Sequence, residues 1–102
     1  MTHDQLVAAV LALAARNGVL AHYCQRSARC QGRRGLPDVF LAGPGGAAFA
    51  EVKAGDDDTT AEQDLWRWVI ERTMPGAWHL WREDDWDAGR VLAVITGLAQ
   101  GA

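Results

Sequence analysis

Lysine is almost missing from this chain: of its ten basic residues, only Lys53 is not an arginine. A sequence that uses arginine by default and lysine once marks position 53 as a place where arginine's wide planar fork does not serve. Cysteine is scarce too. Cys24 and Cys30 are too few for a disulfide framework, and with His22 they match no zinc-module spacing. No apolar run approaches the roughly 18–20 residues that span a bilayer. The apolar stretch at residues 6–15 lacks the basic leader and small-residue cleavage site of a signal peptide. These absences point to a cytoplasmic protein. There is no excess of positive charge either. A net charge of −3 argues against a generic cationic nucleic-acid coat, but it leaves room for a local basic site.

What is present is one domain's worth of chain, residues 1–102, with a single core and no repeat or linker. Charge is unevenly placed. Residues 1–53 hold six basic and three acidic side chains, and residues 54–102 hold four and ten. Thr2 and Gln5 form a capping box ahead of Leu6, Val7, Val10, Leu11, Leu13 and Ala14 at helical spacing, and Asn17-Gly18 supplies the stop. Val19–Cys24, Leu36–Ala42 and Ala47–Lys53 read as strands, the last two joined by the turn Gly43–Gly46 into an antiparallel hairpin. Thr59…Glu62 and Thr60…Gln63 are overlapping capping boxes for a second helix that ends before Pro75-Gly76. Ala77–Trp81 is a fourth strand. One last helix, capped by Asp84 or Asp85, holds Trp86, Val91, Leu92, Val94, Ile95 and Leu98. The order αβββαβα predicts an α/β domain with a mixed sheet.

The chemistry concentrates on Asp38, Glu51 and Lys53. Residues two apart on a strand share a face, so Glu51 and Lys53 project together and Val52 points away. Hairpin pairing brings Asp38 beside Glu51. Two adjacent carboxylates repel, which raises the pKa of one unless a cation intervenes. Mg²⁺ suits such a pair, with the backbone C=O of Val52 as a further ligand, and a bound metal activates water and stabilises charge on a phosphoryl oxygen. A solvated ion pair on an exposed strand is the plain alternative.

Pro37-Asp38, then Glu51-Val52-Lys53 resembles the PD-(D/E)xK nuclease motif. Gly35–Val39, Phe49–Lys53, Thr60…Gln63…Trp66, Trp78–Trp81 and Asp84–Trp86 together resemble the small stand-alone VRR-NUC proteins of bacteriophages and actinobacteria. The resemblance covers residues 3–98. It implies a restriction-endonuclease-like αβββαβ core with a C-terminal helix. The implied activity is Mg²⁺- or Mn²⁺-dependent hydrolysis of DNA phosphodiesters, often in flapped DNA or four-way (Holliday) junctions, by a homodimer in a bacterial or phage-infected cell. Asp38 and Glu51 would then bind metal, Lys53 would assist the attacking water, and Gln63 would support the site from the second helix. Where the family often has a glutamate at the start of helix one, this chain has His3-Asp4. Either Asp4 stands in as a metal ligand with a shorter reach, or His3 takes part, or the site lacks this group.

Other features read from the residues alone. The arginine-rich stretch Gln25–Gly35 offers Arg29, Arg33 and Arg34 as phosphate contacts beside the hairpin. It has no interleaved aromatics, so it does not suggest base reading. Gln63 has a competing use as the capping-box partner of Thr60. Trp66 and Trp68 lie about 200° apart on a helix. One should therefore pack on the sheet, and the other is a candidate for a dimer interface.

Overall fold

The computed structural model describes residues 1–24 and 32–100. Helix α1 (His3–Arg16) starts at the expected capping box, in which Gln5 N–H donates to Thr2 Oγ1 and Thr2 N–H donates to Gln5 Oε1. Three strands follow: β1 (Leu20–Tyr23), β2 (Val39–Gly43) and β3 (Gly46–Val52). Helix α2 (Ala61–Thr73), strand β4 (Trp78–Trp81), helix α3 (Glu83–Asp87) and helix α4 (Arg90–Ala99) complete the chain. The sheet order is β1-β2-β3-β4; the first two pairings are antiparallel and β3–β4 is parallel. The expected α/β class and mixed sheet are therefore present.

Strand alternation divides the apolar side chains between two faces. Val39 and Leu41 of β2, Ala48, Ala50 and Val52 of β3, and Trp81 of β4 pack with Leu6, Val7, Val10 and Ala14 of α1 and Val91, Ile95 and Leu98 of α4. On the opposite face Phe49, Trp78 and Leu80 meet Trp66 and Ile70 of α2. The sheet is thus a middle layer, with α1 and α4 on one side and α2 on the other.

Every strand has at least one end shifted from its expected position, and three differences have a clear local cause. The second strand begins at Val39 rather than Leu36: Pro37 has no N–H for a ladder, and the Asp38 side chain, not its backbone, meets β3 by accepting from Val52 N–H at 3.0 Å. The hairpin turn is also tighter, because Gly43 and Gly46 are themselves paired. The single last helix is two. Gly89 takes φ 79°, a left-handed conformation that interrupts the helix after α3. The residue flanking α3 is Arg82, whose N–H donates to Asp85 Oδ2 at 2.8 Å, so Asp85 serves three positions into the cap instead of at it. Asp85 also accepts from Arg90 Nε at 2.6 Å, which joins α3 to the start of α4.

Candidate active site

The last residue of β3, the residue before β2 and the first turns of α1 and α2 converge at one end of the sheet. Val39 pairs with Ala50, so Asp38 lies one step beyond the ladder, at the level of Glu51. Glu51 is 2% exposed and is the sole charged side chain in the core among the described residues. Parity puts it on the α2 face, under that helix's first turn, while Val52 goes into the opposite core as expected. Lys53 follows directly after β3. Its Nζ lies 3.6 Å from Glu51 Oε1, and its side chain is largely buried.

The electrostatics follow from this crowding. Burial pushes the Glu51 carboxyl up to about 8, the adjacent Asp38 charge pushes it the same way, and Lys53 opposes both. Glu51 Oε1 accepts from Gln63 Nε2 at 2.9 Å. Its other oxygen, Oε2, is buried with no hydrogen-bond partner. A buried carboxyl oxygen without a hydrogen bond is costly; protonation relieves that cost in the neutral form, and a bound cation would relieve it in the ionised form. A hard divalent cation is the kind of ligand such donors would suit, since it takes carboxylate and carbonyl oxygens and keeps several waters. Asp38 and Glu51 would supply the carboxylates, and the Val52 main chain, whose N–H donates to Asp38 Oδ2, lies at the same point. Among the described residues no three His, Cys, Asp or Glu side chains group as a metal cluster.

Gln63 resolves its two competing uses by performing both. Its Oε1 accepts from Thr60 N–H at 2.8 Å and its N–H donates to Thr60 Oγ1 at 3.2 Å, which completes the capping box. The amide's other end, Nε2, holds Glu51. The alternative box at Thr59 does not form; the Thr59 hydroxyl donates to Asp64 Oδ1 instead, at 2.6 Å.

At the start of α1, His3 rather than Asp4 reaches the pair. His3 Nε2 is 3.3 Å from Asp38 Oδ2, and His3 Nδ1 is 3.3 Å from Asp4 Oδ1. The Asp4 side chain is 93% exposed. Tyr23, which the sequence marked only as a strand residue, sits close enough that burial and the charges of Asp38 and Asp4 raise its pKa. Its register opposite Val39, next to Asp38, is the signal that places it there.

Arg33 and Arg34 are exposed; Arg29 lies outside the described residues. Arg34 borders an open groove of about 340 Å³ whose walls include Leu36, Asp38, Thr60, Glu62 and Gln63. Two contacts fix this segment against α2: Trp66 Nε1 donates to Arg34 O at 2.8 Å, and Gly35 abuts the Glu62 backbone so closely that a Cβ there would overlap it. A second cavity of about 360 Å³ opens on the Lys53 side, with Asp56, Arg82, Glu83 and Asp84 on its walls. No helix among the described residues is long and apolar enough to cross a membrane. Comparison with protein-family models, with curated proteins and with solved structures gives no match for this chain.

Proposed function

We propose that this protein is a metal-dependent, structure-specific DNA endonuclease of the VRR-NUC type, with four-way junctions or other branched DNA as its substrate class. The observation that carries this reading is Glu51: a buried carboxylate with an unpartnered oxygen, beside Asp38, with the chain's one lysine at 3.6 Å. A structural ion pair does not need the second carboxylate or the orphaned oxygen.

In this reading Asp38, Glu51 and the Val52 carbonyl hold Mg²⁺ or Mn²⁺, which when bound lowers the pKa of water and draws charge from a phosphoryl oxygen. The reaction is attack of water on phosphorus with breaking of the bond to a deoxyribose oxygen; the water gives up a proton to solvent, and the departing oxygen takes one up from solvent to leave as a hydroxyl. Lys53 orients the attacking water and stabilises the negative charge that develops on the phosphoryl oxygens. Gln63 is a positioning residue that holds Glu51 Oε1. Arg33 and Arg34 contact the flanking backbone phosphates, and the groove beside Arg34 leads that backbone to Asp38.

The test is incubation of labelled four-way, flapped and plain duplex DNA with Mg²⁺ or Mn²⁺. The expected result is cleavage of branched DNA by the parent, lost in Asp38→Ala, Glu51→Ala and Lys53→Ala while DNA binding persists. Variants that cut as well as the parent would sink the assignment. The acid at the start of α1, Asp4, is 93% exposed and turned away from the pair, which favours a second reading, a catalytically silent DNA-structure-binding or assembly module. Binding without product under every metal would support it. Equal cleavage of plain and branched DNA would instead indicate a general nicking or restriction-like nuclease.

A further inference from the structure

Helix α2 has two apolar faces, and among the described residues only one of them is packed against the rest of the chain. Trp66 and Ile70 pack on the sheet. On the other side Leu65, Trp68 and Val69 are 43%, 55% and 41% exposed. With Arg72 they stand at i, i+3, i+4 and i+7, a continuous stripe along one side of the helix. The Arg72 guanidinium lies 4.1 Å from the centre of the Trp68 ring. The stripe therefore ends in a tryptophan–arginine pair, the residue types most enriched at the energetic centres of protein interfaces.

The charges beside the stripe say what covers it. Glu62, Asp64 and Glu71 flank it and are all exposed, which disfavours a polyanion such as nucleic acid. They are also ordered along the helix: Glu62 and Asp64 lie in its first turn and Arg72 in its last. Such a helix complements itself when two copies run antiparallel. With the two-fold axis near Trp68, Asp64 and Arg72 stand four residues to either side. Asp64 of one copy then faces Arg72 of the other, twice, across a seam of Leu65, Trp68 and Val69. A two-fold interface requires this kind of self-complementarity.

We propose that the outer face of α2 is the surface on which a second copy of this chain docks, antiparallel, with Asp64–Arg72 pairs closing both ends of the seam. The surface stands independently of the nuclease reading. A seam made by one helix per copy is at the small end of specific interfaces, so the dimer is expected to dissociate on dilution.

Sedimentation velocity over a concentration series tests this. The parent should pass from monomer to dimer, and Trp68→Ala should weaken the dimer by at least about thirtyfold. Asp64→Arg and Arg72→Asp should each sediment as folded monomers, with folding checked by circular dichroism. Mixed in equal amounts, these two variants should form a dimer, because each pair in the mixed species again has opposite charges. A parent that stays monomeric, a dimer indifferent to Trp68→Ala, or a mixture that remains monomeric would each overturn the proposal.

Discussion

The raised Glu51 pKa makes a specific forecast for how stability depends on pH and metal. In the unfolded chain this carboxyl titrates near its ordinary 4.5; in the fold it titrates at about 8. Between those values the folded state holds a proton that the unfolded state has released, so stability falls as pH rises through the window and levels off above it. Each unit of difference corresponds to about 1.4 kcal/mol. The full shift is then on the order of 5 kcal/mol, a large share of a typical total of about 5–15 kcal/mol. A divalent cation bound as proposed should reverse the trend, since it would stabilise the ionised pair and release the proton on binding. Urea unfolding of the metal-free parent from pH 5 to 8.5 should therefore show a declining midpoint. With Mg²⁺ added, the midpoint should rise most at the alkaline end. Glu51→Gln, which keeps the shape and removes the charge, should be nearly flat over this range and indifferent to Mg²⁺. A parent without a slope, or a Glu51→Gln variant with the same slope, would refute the claim that Glu51 is held protonated by its surroundings.

Three further outcomes are expected. Lys53→Arg should leave DNA binding intact and lower the cleavage rate by about 10²-fold or more, measured at saturating DNA, because a guanidinium does not reproduce the position of a compact ammonium. Replacing Arg33 and Arg34 together with alanine should weaken binding to all DNA structures alike and reduce the salt dependence of binding by about one ion per residue, read from a salt titration. Gly35→Ala should cost about 1–3 kcal/mol, because the added methyl runs into the Glu62 backbone; the loss is read by urea unfolding, and Trp66 fluorescence should shift as its bond to Arg34 is disturbed.

The parts of this structure legible in the sequence are those governed by local rules. Thr2–Gln5 and Thr60–Gln63 announce both main helices through their capping boxes. The two-residue period of a strand puts Glu51 and Lys53 on one face and Val52 on the other. The expectation that one tryptophan of α2 packs inward is met by Trp66, leaving Trp68 outward. Illegible features depend on distant parts of the chain. The depth of Glu51 comes from α2 lying over it, and His3 reaches Asp38 only because α1 starts beside the hairpin. Gly89 looks like any glycine in an apolar periodic run until its left-handed backbone divides the last helix. The two roles of Gln63 are not alternatives, because a primary amide has an acceptor and a donor that face different partners.

That divided amide makes the start of α2 and the state of Glu51 a single event. Fraying of one helical turn, ordinarily a harmless surface fluctuation, would here also release a carboxylate buried beneath it. The backbone amide proton of Gln63, protected from solvent exchange only while Thr60 Oγ1 holds it, should therefore exchange at the rate at which Glu51 loses its support. A single exchange-rate measurement on that peptide group would report on the readiness of the whole carboxylate pair, without substrate or metal present.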